Sequence, residues 1–212
     1  MSDHPAITTI FFDIGGVLVE VNERGGMDEI VRLTGLAPEW LGSRMAGENL
    51  YALERGEVTL RDYHAAAFKD AGANPPITYD RFEQFWTELL LEPTSVADIL
   101  PALRRQAAVW FLTNTNQVHM DYLKENYRFM AQADGVISSH QVGHRKPDRE
   151  IFRLALRRAD VPAEQALFVD DKVDNVAAAR ELGIAAHQYV DLPGLVGFLG
   201  EHGLEAPPPA EL

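Results

Sequence analysis

Five short runs of apolar residues stand out against an otherwise mixed sequence. They cover residues 7–13, 107–115, 134–139, 165–171 and 184–190. The runs are nearly continuous rather than alternating, and the first is rich in β-branched and aromatic residues before it meets a glycine pair. Such runs are typical of strands that are buried on both faces. We therefore predict a parallel sheet built from these five segments.

Amphipathic helical patterns lie between the later runs. They cover residues 119–127, 147–160 and 174–183. Pro147 suits the first position of a helix, and Gly183 suits the end of one. The alternation of strands and helices predicts a doubly wound α/β fold, with helices on both faces of a parallel sheet. A further helical pattern at 95–106 contains Pro101, which predicts a kink or a late start.

Residues 20–92 differ from the rest of the chain because only helical patterns occur there. Segments such as TYDRFEQFWTELLL carry apolar residues at helical spacing, and no strand pattern interrupts them. We predict an all-helical insert between the first strand and the remainder of the α/β unit, with its aromatic residues packed in a core of its own. Gly25 and Gly26, near one join, would permit a hinge.

Composition narrows the classes of function. The 212 residues suit one sizeable domain with a smaller insert, and the formal net charge of −13 argues against a general binder of nucleic acid or anionic membranes. The sequence has no cysteine, so disulfides and thiolate zinc sites are excluded and a reducing cytoplasm is the expected location. We find no signal-peptide pattern and no apolar stretch long enough to span a bilayer. Residues 206–212 are expected to form a disordered tail.

Polar side chains stand at four places where predicted elements meet the same edge of the sheet. They are Asp13 after the first run, Thr113 and Asn114 after the second, Lys146 before Pro147, and Asp170 and Asp171 after the fourth. Taken singly, each group is explained by a helix cap, a turn or an exposed loop. Ligands of open parallel sheets bind at the carboxyl ends of the strands. The convergence of all four groups there predicts a functional site.

The chemistry available to this set is specific. The carboxylate of Asp13 can attack phosphorus and form an acyl-phosphate. Two carboxylates and a backbone carbonyl at one strand edge can bind Mg²⁺, a hard cation that prefers oxygen ligands. A hydroxyl from Thr113 and an ammonium from Lys146 would hold phosphate oxygens.

The order of four motifs resembles one family. FFDIGGVL, FLTNTN, HRKPD and FVDDKVDN follow one another as in haloacid dehalogenase (HAD) superfamily hydrolases that carry a helical cap after the first strand. With the insert, the motifs cover nearly the whole chain. The resemblance implies a HAD-like core at 1–19 and 93–205 and a cap at 20–92. The chain is most similar to the α-D-glucose-1-phosphate phosphatase type, related to the phosphatase domain of soluble epoxide hydrolase, which shares the ERGE segment at 54–57.

The resemblance implies a role for each polar group near the expected metal. Asp13 matches the nucleophile and a metal ligand, and the carbonyl of Gly15 matches the backbone ligand. Asp171 matches the second metal carboxylate, which Asp170 and Asn175 would support through their own contacts. The implied cofactor is Mg²⁺, and the helical cap would select the substrate.

A second set matches the phosphate-binding residues of the family. Thr113 and Asn114 match the phosphate-binding loop, and Lys146 matches the lysine that orients both phosphate and nucleophile. Arg145 could reach a phosphate or a sugar hydroxyl, whereas we interpret His144 as structural. The implied partner is a small phosphorylated metabolite.

Gly15 departs from the family pattern. Most HAD phosphatases carry there a second aspartate, which protonates the leaving group and then activates water, whereas glycine has no side chain for this. Haloacid dehalogenases also have no aspartate at that position. They have no aspartate pair like the one at 170–171 either, so the presence of the pair in this chain favours a metal-dependent phosphatase. Carbon–halogen hydrolysis and a binding protein without turnover remain as alternatives. Candidates for a replacement proton donor in the cap are Glu23, Glu48 and His64.

Overall fold

The computed structural model describes residues 5–72 and 76–207. In chain order its strands are β1 (Thr9–Phe12), β2 (Val19–Val21), β3 (Leu90–Pro93), β4 (Ala108–Thr113), β5 (Gly135–Ser138), β6 (Ala166–Asp170) and β7 (Ala185–Gln188). Five of them form a parallel sheet in the order β5–β4–β1–β6–β7, and β2 pairs with β3 antiparallel. Each predicted strand is present and slightly shorter than its apolar run.

Helices connect the strands and cover the sheet. Within the described residues they are α1 (Glu23–Thr34), α2 (Pro38–Met45), α3 (Glu48–Glu54), α4 (Leu60–Ala67), α5 (Tyr79–Thr87), α6 (Val96–Leu103), α7 (Gln117–Asn126), α8 (Ser139–Val142), α9 (Arg149–Ala159), α10 (Val173–Arg180) and α11 (Leu192–Glu201). Short 3₁₀ turns lie at Arg128–Gln132 and Ala163–Gln165. The predicted α/β fold is therefore confirmed.

The central strand β1 supplies both faces of the sheet. Ile10 and Phe12 pack into the core formed with α6, α7 and α11, whereas Phe11 packs into the core formed with α9 and α10. All three side chains are at most 1% exposed. Successive side chains of a strand point to opposite faces, so a continuous apolar run is what a sheet covered on both sides requires.

Helices α1 to α5 enclose a separate apolar core. Phe82 lies fully buried in it, with the rings of Tyr63 and Trp86 within 6.2 Å and 5.6 Å of the Phe82 ring. This insert contacts α7, where His119 Nε2 lies 2.7 Å from the carbonyl oxygen of Trp86 and the two rings are stacked. Burial lowers the pKa of His119 to about 4, so the neutral ring donates this hydrogen bond.

The expectation of helices alone at residues 20–92 is wrong at both ends. Strands β2 and β3 overlap these ends and pair with each other, so they connect the insert to the sheet as a two-stranded ribbon. Strands of three and four residues are too short to produce a periodic pattern. The glycine pair that would permit a hinge lies inside α1, where Gly26 is buried against Leu89.

Two helix starts differ from the prediction. The helix expected to begin at Pro147 begins at Arg149, because the side chain of Asp148 accepts a hydrogen bond from the N–H of Glu150 and caps it. Helix α6 begins at Val96 and contains Pro101, so of the two expected effects of the proline, a kink or a late start, the late start does not occur. None of the helices in the described part of the chain is long and apolar enough to cross a membrane. Of the predicted tail, residues 208–212 lie outside the described residues.

Gly135 provides a test of the packing between β4 and β5. It pairs in register with Trp110, and a Cβ on Gly135 would lie 2.2 Å from Cζ3 of that ring. We expect Gly135→Ala to destabilise the protein by about 1–3 kcal/mol, because the indole must move within a packed layer. Urea unfolding followed by circular dichroism measures the difference.

The matched control is Gly197→Ala in α11, where no atom lies within 4 Å of the added carbon. Alanine favours the helix there, so this variant should be more stable by about 0.5–1 kcal/mol. An unchanged unfolding midpoint for Gly135→Ala would show that the indole moves without strain.

Candidate active site

Asp13 extends the hydrogen bonding of the sheet one residue beyond β1. Its backbone N–H donates to the carbonyl oxygen of Val169 over 2.9 Å, and its side chain accepts from the N–H of Ile14 through Oδ1 over 2.8 Å. The residue is only 7% exposed. The carboxylate is therefore fixed at the carboxyl edge of the sheet, between the ends of β4 and β6.

Lys146 is the charged centre of this edge. Its ammonium group donates to the carbonyl oxygen of Leu112 over 2.8 Å, and it lies 2.9 Å from Asp13 Oδ1 and 2.6 Å from Asp170 Oδ2. The lysine is 1% exposed. An ammonium has three N–H donors, and three acceptors surround this one, so the buried cation is fully satisfied.

The side chain of Asn114 holds the backbone of Lys146. Its Oδ1 accepts from the N–H of Lys146 over 2.8 Å, and its Nδ2 donates to the carbonyl oxygen of the same residue over 2.9 Å. This two-point contact acts like a pair of β-bridge hydrogen bonds. It fixes the lysine against the end of β4.

The two aspartates after β6 have different environments. Asp170 is fully buried and accepts from Lys146, from Asn175 Nδ2 and from the N–H of Lys172. Asp171 is partly exposed, yet its Oδ1 is buried and has no hydrogen-bond partner among the described residues. An unpaired buried carboxylate oxygen is energetically unfavourable, which indicates that this oxygen of Asp171 binds a ligand.

Gly16 allows Asp171 to approach the loop after β1. Its φ is +78°, and a Cβ there would lie 2.8 Å from the carboxyl carbon of Asp171. Gly15 has no such requirement, because its φ is not positive and an added Cβ would meet only Cγ2 of Val21, at 3.2 Å. Of the two glycines, Gly16 is therefore the conformationally restricted one.

Three carboxylates surround one ammonium at this edge. Burial raises the pKa of Asp13 to about 7; Lys146 opposes that rise, and Asp170 and Asp171 add to it. Burial, followed by the charge of Asp170, also raises the pKa of Asp171. Burial alone would lower the pKa of Lys146, but Asp13 and Asp170 outweigh it and raise that pKa. The cluster therefore carries more negative charge than its lysine balances.

The residues present fit a hard divalent cation. One carboxylate oxygen each from Asp13, Asp170 and Asp171 lies within 4.8 Å of the others. Oxygen donors of this kind suit Mg²⁺ better than softer metals. The buried, unpaired oxygen of Asp171 is the structural observation that favours such a ligand. Asp170, by contrast, already accepts four hydrogen bonds, so we expect it to position Lys146 instead.

The structure separates the predicted phosphate-binding residues. Thr113 is buried at the end of β4 beside Asn114, whose side chain is committed to Lys146. Arg145 points away from this cluster toward the insert, where its Nε donates to Glu54 Oε2 over 2.7 Å. Asp13, Lys146, Asp170, Asp171 and Asn175 are brought together, whereas the side chain of Arg145 lies among residues of α3.

The three candidate proton donors of the insert differ in position. His64 is buried in the insert core, with Nε2 3.0 Å from the carbonyl oxygen of Ile77. Glu48 pairs with Arg55 on the same helix face. Glu23 is the one of the three near the sheet edge, because its Oε1 lies 3.8 Å from Nζ of Lys172, the residue after Asp171.

Two contributors to the site were missed by sequence reasoning. The carbonyl oxygen of Leu112 accepts from Lys146, and Ser139 ties the loop after β4 to β5 by bonding both the N–H and the carbonyl of Thr115. The first is a backbone atom and leaves no signal in residue type. The second is an ordinary serine whose partner lies 24 positions away.

Comparison with known proteins gives a family match over most of the chain. Residues 7–183 match the sequence model of haloacid dehalogenase-like hydrolases. The sesquiterpene phosphatase astK of Aspergillus oryzae is 29% identical over 181 residues, which are 85% of this chain and 88% of that protein. The D-ribitol-5-phosphate phosphatase of Bacteroides thetaiotaomicron is 27% identical over 191 residues, covering 86% and 91% of the two chains.

A solved structure shares the fold. The crystal structure of a HAD family enzyme from Bacteroides thetaiotaomicron, in complex with magnesium and inorganic phosphate, superposes with a TM-score of 0.77. The two sequences are 21% identical, and the match covers 87% of this chain and 95% of that one. At this identity the likeness establishes a common fold.

The raised pKa of Asp13 predicts a pH-dependent gain in stability when the carboxylate is removed. Because the pKa is higher in the folded protein than the ordinary 3.8, ionisation of Asp13 favours unfolding, and stability is lost as the pH rises toward about 7. Without divalent cations, Asp13→Asn should therefore unfold at a higher temperature than wild type. The gain in unfolding temperature should grow from pH 5 to pH 7 and become constant above pH 7. Each kcal/mol of added stability should raise the unfolding temperature by about 2–4 °C.

Differential scanning calorimetry in EDTA measures this gain, with Asp28→Asn as the control because Asp28 is exposed on α1. A gain that is the same at pH 5 and pH 8 would show that Asp13 keeps an ordinary pKa in the folded protein.

Proposed function

Because the chain belongs to the haloacid dehalogenase-like hydrolases, we propose that it is a Mg²⁺-dependent phosphatase that hydrolyses a small phosphomonoester such as a sugar phosphate. The observation that carries the proposal is the buried Asp13–Lys146–Asp170 array with the unpaired Asp171 oxygen beside it. The two phosphatases similar to this chain add support. Carbon–halogen hydrolysis would also use Asp13, but it gives the unpaired oxygen of Asp171 no role.

Asp13 acts as the nucleophile in this proposal. Its Oδ1 is held by the N–H of Ile14 and by Lys146, so Oδ2 is the oxygen left to attack. A bond forms between Oδ2 and phosphorus, and the bond from phosphorus to the leaving oxygen breaks, which gives an aspartyl-phosphate and an alkoxide. Water then adds to phosphorus and the bond to Oδ2 breaks. One proton of that water neutralises the alkoxide, and the free carboxylate of Asp13, the alcohol and inorganic phosphate are released.

Lys146 keeps the nucleophile oriented and supplies positive charge. Its donors already point at Leu112, Asp13 and Asp170, so it acts on the phosphoryl group mainly through its charge in a water-poor site. The hydroxyl of Thr113 is the group we assign to a phosphate oxygen. Asn114 maintains the lysine's position through the backbone.

Asp13, Asp171 and the carbonyl of Gly15 are the groups that would hold Mg²⁺. When bound, the ion supplies positive charge against the charge that develops on the phosphoryl oxygens. Asp170 and Asn175 support this edge, since Asn175 donates to both oxygens of Asp170. Gly16 keeps the space that the carboxylate of Asp171 occupies.

The insert of α1 to α5 is proposed as a cap that covers the site. Strands β2 and β3 connect it to the sheet. Strand β2 follows β1 and Asp13, and β3 precedes the rest of the core. It also touches α8, the helix after β5, where a Cβ on Gly56 would lie 2.2 Å from the carbonyl oxygen of His140. A helical unit fixed on two sides of the edge is placed to exclude water from it.

The nucleophile and the metal can be tested together. Asp13→Asn should fold and lose at least about 10³-fold in phosphatase activity, because the side-chain amide cannot form the acyl-phosphate. EDTA should abolish the wild-type activity on p-nitrophenyl phosphate, and Mg²⁺ should restore it. Mass spectrometry of the wild type quenched during turnover should show phosphate on Asp13.

Asp28→Asn is the control for this experiment, because it makes the same change on an exposed helix. Wild-type turnover that persists in Asp13→Asn would overturn the assignment of the nucleophile. Halide release from haloacids without added metal would instead favour the dehalogenase alternative.

The absence of an acid side chain at Gly15 predicts that the hydrolysis rate depends steeply on the pKa of the leaving group. With no acid at position 15, the leaving oxygen departs without a proton from that position, so rates should fall steeply as its pKa rises. Gly15→Asp would add a proton donor, but its Cβ meets Val21, so the variant to make is Gly15→Asp with Val21→Ala. We expect it to favour alkyl over aryl phosphates by about 10²-fold relative to wild type.

Val21→Ala alone is the control and should leave the slope unchanged. A flat dependence in the wild type would show that another group supplies the proton. Glu23 would then be the first residue to replace, because it lies nearer to the sheet edge than the other two candidates.

A further inference from the structure

The ERGE segment at the end of α3 meets the core at two points. Glu54 Oε2 accepts from Arg145 Nε over 2.7 Å. Gly56, with φ of +71°, lies so close to the carbonyl oxygen of His140 that any side chain there would clash with it. The residue between them, Arg55, instead pairs with Glu48 and Glu57 of the insert itself. Alternate residues of the segment therefore face the core and the insert.

Arg145 contacts two side chains of α3, those of Glu54 and Tyr51. Besides bonding Glu54, its guanidinium lies 3.8 Å from the centre of the Tyr51 ring. Tyr51 and Glu54 are three residues apart and so share one face of the helix. A planar guanidinium that stacks on a ring and bonds a carboxylate at once has a defined position, which a flexible surface arginine does not.

This ion pair is more protected than the other arginine–carboxylate pairs of the described chain. The side chains of Arg145 and Glu54 are 21% and 15% exposed. By comparison, the second ionic contact between insert and core, Glu23 with Lys172, spans 3.8 Å between side chains that are 77% and 61% exposed. Solvent and salt weaken exposed pairs, so the Arg145 contact is the stronger connection.

We propose that Arg145 is a positioning residue that holds α3 of the insert over the site through Glu54 and Tyr51, and that it does not bind the substrate. The inference deepens the proposed phosphatase function and rests on it for its catalytic consequence. Arg145 immediately precedes Lys146, whose backbone is fixed by Asn114. One short loop thus carries both the lysine that orients Asp13 and the arginine that seats the insert.

The first experiment measures the contact without turnover. Hydrogen exchange of residues 48–56 is compared in wild type, Glu54→Gln and Arg145→Gln. Both variants should raise the exchange rate, by about three- to tenfold, and Arg145→Gln should raise it at least as much as Glu54→Gln, because it also removes the stacking on Tyr51. Arg44→Gln is the control: Arg44 pairs with Asp70 within the insert and should leave this segment unchanged. Unchanged exchange in both test variants would overturn the proposal.

The second experiment separates positioning from substrate binding. With p-nitrophenyl phosphate and Mg²⁺, Glu54→Gln and Arg145→Gln should both lower kcat/KM, Arg145→Gln at least as much as Glu54→Gln, and the double variant should be no worse than Arg145→Gln alone. Arg145→Lys keeps a cation opposite Glu54 and should recover part of the loss in both experiments. A loss of activity confined to Arg145→Gln, with Glu54→Gln as active as wild type and the exchange of residues 48–56 unchanged in both variants, would show that Arg145 binds the substrate. Failure of the phosphatase proposal would appear separately, as an inactive wild type with the predicted exchange pattern intact.

Discussion

The site depends on one buried ammonium. Nζ of Lys146 lies between Asp13 and Asp170, which are held at the ends of adjacent strands, and it also bonds the end of β4 through Leu112. Without this cation, two carboxylates would be buried side by side at a high electrostatic cost. The lysine therefore joins three neighbouring strands, and the precision of the sheet edge follows from how well its three acceptors are placed.

The fold and the grouping of the charged residues could be predicted from sequence because both follow from strand topology. Parallel strands end at one edge, so Asp13 and Asp170 had to meet there once β1 and β6 were recognised. The contacts of Asn114 and Arg145 could not be predicted in the same way. Asn114 suits a turn as well as a lysine clamp, and the partner of Arg145 depends on where an insert of independent helices comes to rest. The ribbon of β2 and β3 was missed because it is too short to carry a period.

The glycine pair at 15–16 shows how one structural detail changes the interpretation of a motif. The sequence draws attention to Gly15, where the family pattern has an acid, but the backbone requirement falls on Gly16, whose hydrogen atom faces the carboxylate of Asp171. Gly15 is limited by a single methyl group of Val21, in the strand that leads into the insert. The backbone conformation of Gly16, the distant carboxylate of Asp171 and a methyl group six positions from Gly15 decided the matter, and residue types alone reveal none of them.

The central place of β1 has a consequence for how the protein is made. Thr9 pairs with Ala108 on one side and with Ala166 on the other, so the first strand of the chain meets one partner only after about half of the polypeptide exists and the other only after most of it does. During synthesis, α1 to α5 can pack around Phe82 while β1 still lacks both neighbours. An apolar strand left unpaired for that time is prone to association with other chains. The carboxylate at its end is thus among the last features to reach its final surroundings, although it lies near the start of the sequence.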